Sequence, residues 1–170
     1  PEVMAEMSNL LAGLHWAAQQ GNVEAAKQMI IGLFFIVEML GWYQFALQTY
    51  DAAVALLTSQ APVDESNAQY ADNRTLIRCW LRWCQANLYR TMGLLERATA
   101  EAEQIFVRLA GVATSRHQQW LLLMNHWLQT QLTQLSGDLP AARQQAQAMV
   151  TRFQDTNFPA LFYDQAVEAQ

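Results

Sequence analysis

Three arginines recur at every fourth position in one segment, and guanidinium groups at that spacing can bind an anion. On an α-helix, Arg74, Arg78 and Arg82 lie along one face, and Arg90 continues the row. Because a guanidinium forms paired hydrogen bonds with a carboxylate or phosphate, the row predicts a docking site for an anionic partner. The alternative is a solvated helix face whose arginines pair with nearby carboxylates, namely Asp72, Glu96 and Glu103.

The histidines and cysteines show no pattern typical of a metal or nucleophilic site. His15, His117 and His126 lack ligand spacing, which favours packed histidines. Cys79 and Cys84 share one predicted helix but point in different directions, so they cannot form a disulfide without breaking it. Reduced thiols predict a cytoplasmic setting. Paired carboxylates, a phosphate-binding glycine loop and a nucleophile motif are also missing. We therefore expect no enzyme activity, no metal and no cofactor.

The composition predicts one folded domain over residues 1–170. Hydrophobic residues make up 52% of the 170, and six are tryptophan, which is enough for a packed core. The net charge of -5 argues against sequence-independent binding to nucleic acid. The most apolar run, from Met29 to Leu40, contains Glu38 and is too short to cross a membrane. The chain opens at Pro1 without an initiator Met, so we expect a fragment of a longer protein.

Hydrophobic periodicity predicts about eight helices separated by glycine turns. Gly21, Gly41, Gly93 and Gly137 each follow one amphipathic segment and precede another, as a glycine at a helix C-terminus should. Asp72 or Asn73 is a candidate N-terminal cap after a loop at about 60–72, and Pro140 suits a first helical turn. The predicted helices cover 3–19, 23–40, 42–59, 72–92, 94–109, 115–136, 139–154 and 158–169.

The segment that begins at Gly41 resembles the second helix of a tetratricopeptide repeat (TPR). Tyr43, Ala46, Tyr50 and Ala53 occupy the positions at which that family places packing and small residues. A second, less complete copy consists of Gly137, Leu139, Ala142, Ala146 and Met149. The glycines are spaced more widely than the roughly 34 residues of the standard repeat. The resemblance implies an all-α, right-handed superhelical array of antiparallel hairpins, with long helices and degenerate repeats.

The first third of the chain resembles a narrower group. The stretches NLLAGLHWA from Asn9 and QGNVEAA from Gln20, followed by an aromatic helix and Gly41, are similar to a region of large bacterial STAND-type signalling regulators. There the repeats follow an ATPase module and act as a sensor arm. The resemblance covers about residues 6–57. It implies a sensing or interaction module and, because no Walker motif occurs, no nucleotide site in this part.

The TPR alignment also implies a concave groove built from the first helix of each hairpin. Its aromatic, amide and charged side chains suit a peptide or an apolar small ligand. Large aromatic residues at helical spacing are equally typical of a core, and this alternative applies to each tryptophan. The groove candidates are Trp80, Trp83, Asn87, Arg90, Met124, Trp127, Gln131 and Glu38, with Ile31, Phe35 and Gln134 beside them.

These patterns predict a non-catalytic module that binds a protein, peptide or small effector in the groove. The alternative is a structural arm that packs against an ATPase domain or self-associates as a homodimer. Apolar stretches near both ends, from Met4 to Leu14 and from Phe158 to Val167, favour that alternative.

Overall fold

The chain is all-helical in the computed structural model, which describes residues 2–59, 68–112 and 114–156. The final predicted helix and most of the predicted loop at 60–72 lie outside these residues. The described residues form seven helices and no strand. They are α1 (Glu2–Gln19), α2 (Val23–Leu40), α3 (Tyr43–Ser59), α4 (Ala68–Thr91), α5 (Leu95–Leu109), α6 (Arg116–Leu135) and α7 (Leu139–Thr156). None of the helices described is both long and apolar enough to cross a membrane.

Glycine ends four helices as the sequence predicts. Gly21, Gly41, Gly93 and Gly137 all have positive φ, between 63° and 91°. Gly41 shows the reason, since its left-handed backbone lets its N–H reach the carbonyl of Val37 and close α2. The chain then turns directly into the next helix, so consecutive helices form hairpins.

One predicted helix start is wrong. Neither Asp72 nor Asn73 caps α4, because that helix begins earlier, at Ala68. Asn73 instead donates its amide to the carbonyl of Gly21 at 2.9 Å, and the Tyr70 hydroxyl donates to the carbonyl of Gln19 at 2.6 Å. The first turns of α4 therefore hold the α1–α2 turn, a contact between distant parts of the chain that the local cap signal did not reveal.

The fourth helix is the centre of the molecule. It packs against α2, α3, α5 and α6, and most of its middle is buried. Its polar side chains tie it to these neighbours. Gln85 donates to Asp51 of α3 at 2.7 Å, Arg82 pairs with Glu101 of α5 at 2.6 Å, and Thr91 donates to Glu38 of α2 at 3.1 Å. The faces of α4 towards α2, α3 and α5 thus each carry a directional contact as well as apolar burial.

Small residues let the second helix of each hairpin pack closely, as the repeating pattern predicts. Their side chains are buried at the positions five residues after each turn glycine. In the stretch after Gly41, Tyr50 is also fully buried, whereas Tyr43 and Ala53 are partly exposed. The small residues concerned are Ala26, Ala46, Ala98 and Ala142.

Candidate functional site

The candidate groove residues lie on α2, α4 and α6, with α4 in the middle. Phe34 of α2 stacks near Trp83 of α4, with ring centroids 6.0 Å apart, and the Trp83 indole donates to the carbonyl of Met124 in α6 at 3.1 Å. Nearer the C-terminal ends of α2 and α4, the Thr91 hydroxyl donates to the Glu38 carboxylate. Because the Phe34–Trp83 and Glu38–Thr91 pairings advance together along the chain, α2 and α4 run in the same direction.

Three of the four α4 members of the predicted groove belong to the core. Trp80 has no exposed surface, and Trp83 and Asn87 are also buried. Trp80 and Trp83 form an edge-to-face pair with centroids 5.8 Å apart, and the Asn87 amide donates to the Trp83 carbonyl at 2.9 Å. A ligand cannot reach these side chains because they are buried. Phe34 and Met124 cover Trp83 from two sides. For these tryptophans the structure shows the core alternative.

The remaining candidates are accessible, and several lie towards the C-terminal ends of the three helices. Glu38, Arg90, Trp127 and Gln131 are each partly exposed, as are Met124 and Ile31 nearer the middle. Phe35 is 61% exposed, and Met39, one turn later on the same face of α2, is 86% exposed. We call the set Phe35, Glu38, Met39, Arg90, Trp127 and Gln131 the open end.

Two polar atoms at the open end are buried without a partner among the described residues. They are Nε of Arg90 and Oε1 of Gln131. Both atoms are themselves buried, although the Arg90 and Gln131 side chains are partly exposed as a whole. Each unmet group carries a free-energy cost.

The arginines of the predicted row on α4 differ in their burial and in their partners. Arg74 is buried and donates to the carbonyl of Leu57 at the end of α3, while Arg82 pairs with Glu101, a carboxylate that the sequence did not suggest. Arg78 is half-buried beside Arg108, and burial, with the charges of Arg74 and Arg108, lowers its pKa. Arg74 and Arg82 therefore join α4 to its neighbours, whereas Arg78 lies half-buried among other arginines.

Burial shifts the pKa values of both cysteines and of His126. Burial raises the pKa of the Cys79 thiol to about 11 and that of Cys84 further, so both thiols are protonated at neutral pH. Burial, and then the charge of Arg152, lower the pKa of His126 to about 4. Within the described ranges, no three His, Cys, Asp or Glu side chains are placed to hold a metal ion.

A pocket that the sequence did not indicate lies between α1 and α3. Its volume is about 410 Å³, and Leu81 of α4 forms its floor. Of the described lining residues, His15 and Thr49 are polar and the others are apolar, namely Leu11, Leu14, Ala18, Ala52, Ala53, Leu57 and Leu81. The small alanine side chains of α3 are a sequence signal for such a pocket. The pocket itself becomes evident only from the way α1 packs beside α3.

Comparison with known proteins gives no match: no family model, curated protein or solved structure is similar to this chain. The geometry described above is therefore the basis for assigning a function.

Proposed function

We propose that the chain is an interaction module that binds a peptide segment of a partner protein at the open end. We also propose that the helices form a TPR-like superhelical array from the sensor arm of a STAND-type regulator. The order of packing supports the array, because α2, α4 and α6 lie side by side, while α3 packs on α4 and α5 packs on α6. The resemblance from Asn9 to Gly41 supports the sensor arm.

The observation that carries the binding proposal is the exposed apolar pair Phe35 and Met39 on α2, on the same helix as the partly exposed Glu38. Arg90 of α4 and Gln131 of α6 are partly exposed as well, and their side chains can pair with the carbonyl and N–H that a peptide unit offers. Phe35 and Met39 stand exposed on the neighbouring helix, where an apolar side chain of the same peptide can cover them. The open end thus combines backbone recognition with an aromatic anchor, a common arrangement at protein interfaces.

The test uses a library of random peptides displayed on phage and selected on the folded protein. Affinities of the enriched peptides are then measured for Phe35→Ser and Arg90→Met. We expect each substitution to weaken binding about tenfold or more, because Phe35 supplies the exposed aromatic ring and Arg90 a donor to the peptide backbone. Val107→Ser is the matched control, since Val107 is also exposed, at 69%, but lies on α5 away from the open end.

Circular dichroism must show that the three variants fold. Peptides that bind all of them as tightly as the unchanged protein would place the interface elsewhere. A failure to enrich any peptide would argue against peptide binding. Trp83 is unsuitable for this test because it is buried between Phe34 and Met124, so its substitution would disturb the core.

The second candidate is a structural arm that packs on another domain or on a second copy. Apolar side chains at other surfaces favour it, namely Trp16 on α1 and Leu135 and Leu139 at the α6–α7 turn, all more than half exposed. Light scattering across a concentration series measures self-association directly. A dimer that dissociates on Trp16→Ser or Leu139→Ser would support this candidate, and a monomer at all concentrations would exclude self-association.

A further inference from the structure

The pocket between α1 and α3 is deep, because it reaches the central helix. Leu81, at its floor, has no exposed surface of its own, and Leu14 and Leu57 on the two walls are almost fully buried. The mouth lies between the two outer helices, where Ala52 is exposed. A flat docking surface for a protein would not penetrate to α4 in this way.

Small side chains explain why the space is not filled. Ala18 of α1 faces Ala52 and Ala53 of α3 across the pocket. Helical interiors are normally packed to crystal-like density, so larger residues would close such a gap. Its volume of about 410 Å³ is far larger than a water-sized void and falls within the size of ligand pockets.

The polar groups of the lining are few and lie on facing helices. The His15 ring is on α1, where its Nε2 lies 3.3 Å from the Gln19 amide nitrogen, and the Thr49 hydroxyl is on α3. Among the described residues of the lining there is no carboxylate, lysine or arginine. A charged ligand would therefore lose its hydration without gaining a counter-charge, whereas an uncharged one would not.

We propose that this pocket binds one compact, uncharged small molecule, mostly apolar, whose single hydroxyl or carbonyl group hydrogen-bonds to Thr49 or His15. The site is separate from the open end, which involves α2, α4 and α6. Because the occupant would touch α1, α3 and α4 together, its binding would hold the first helix onto the rest of the array.

The first experiment titrates the protein with N-phenyl-1-naphthylamine, an uncharged apolar dye that fluoresces when it leaves water. We expect saturable binding of one dye per chain. Ala52→Phe should reduce the affinity at least tenfold, because the new ring occupies the pocket from its exposed rim. Ala55→Phe is the matched control: Ala55 is an exposed alanine on the same helix that does not line the pocket.

Equal affinity in Ala52→Phe and Ala55→Phe would overturn the proposal, as would dye uptake that does not saturate. Circular dichroism and melting temperature establish that both variants fold. Light scattering during the titration detects a second copy of the chain in place of the small molecule. Dye binding that depends on dimer formation would also overturn the proposal.

The second experiment tests the chemical class. The unchanged protein should bind 1-naphthol more tightly than 1-methylnaphthalene, by about fivefold if one net hydrogen bond is gained. Thr49→Val, which keeps the shape of the side chain, should reduce that preference, and His15→Phe should do so if the ring is the partner. A preference unchanged in both variants would show that the polar end of the pocket is not used.

Discussion

At the scale of single residues, glycine has three different roles in this chain. Gly41 has φ of 69° and open space where a Cβ would lie, whereas Gly32 lies inside α2 and also has open space. At Gly21, with φ of 63°, an added Cβ would come within 2.8 Å of the Tyr70 ring. Backbone strain, helix propensity and steric contact can therefore be separated by one substitution at three positions.

We predict that alanine at these glycines changes the free energy of unfolding in a fixed order. Gly32→Ala should stabilise the protein by about 0.5–1 kcal/mol, since alanine is the better helix former. Gly41→Ala should destabilise it by about 1 kcal/mol, because an L-residue is strained in the left-handed region. Gly21→Ala should cost more, since it also displaces Tyr70. Urea unfolding measures all three, and a Gly41→Ala variant as stable as Gly32→Ala would contradict the role of positive φ.

His126 gives a prediction about pH. Burial holds it neutral in the folded chain, with a pKa of about 4, whereas in the unfolded chain its pKa is near 6.5. Between these values the unfolded state binds more protons, so stability falls as the solution is acidified through this window. The imidazole also contacts the Phe106 ring and accepts from Arg152. His126→Gln should lose less stability between pH 7 and pH 5 in urea titrations. An unchanged loss would assign it to other groups.

At the scale of elements, Arg74 and Arg78 differ although they are one turn apart on α4. Arg74 is buried and donates to the carbonyl of Leu57, an acceptor near the C-terminus of α3 that its own helix leaves unmet. Arg78 is half-buried among other arginines, and its charged form is disfavoured there. The first joins two helices, while the second contributes little to their packing.

We therefore predict opposite outcomes for the same substitution at these two sites. Arg74→Met should destabilise the protein by about 2 kcal/mol, because it removes a charged hydrogen bond and leaves a buried carbonyl without a partner. Arg78→Met should be neutral or slightly stabilising, because it relieves like-charge repulsion. Chemical unfolding of both variants measures the difference. A similar loss at both sites would mean that the arginines act as one row.

The same contrast shows how much could be read from the sequence. The glycine turns and most helix bounds followed from local signals that need only a few neighbouring residues. The start of α4 did not, because Tyr70 and Asn73 are held by Gln19 and Gly21, which lie 51 and 52 residues earlier in the chain. Trp80 and Trp127 belong to the same predicted class, yet one is buried and the other accessible. The difference depends on which helices cover α4, which no local pattern encodes.

At the scale of the whole molecule, the central position of α4 makes the packing of the described helices dependent on one helix. It carries both cysteines, which are fully buried, and packs against α2, α3, α5 and α6. A local opening that exposed either thiol would have to separate α4 from several neighbours at once. Such an opening should cost nearly as much as complete unfolding.

We predict that Cys79 and Cys84 react with a thiol reagent only when the whole chain unfolds. Their labelling and the loss of helical circular dichroism should share one midpoint in urea. Thiol labelling at a clearly lower urea concentration would show that the α3 or α5 side separates first. Single-cysteine variants, Cys79→Ala and Cys84→Ala, then identify which side of α4 opens.

The edge-to-face pair of Trp80 and Trp83 has a spectroscopic consequence. Two indoles at 5.8 Å in a chiral, rigid setting couple their electronic transitions, so the pair should produce an exciton couplet in circular dichroism. No other two tryptophans among the described side chains form such a ring pair. The couplet would disappear in Trp80→Phe and would depend only on the arrangement of α4. This gives the protein an intrinsic optical signature of its folded core, readable without a label or a ligand.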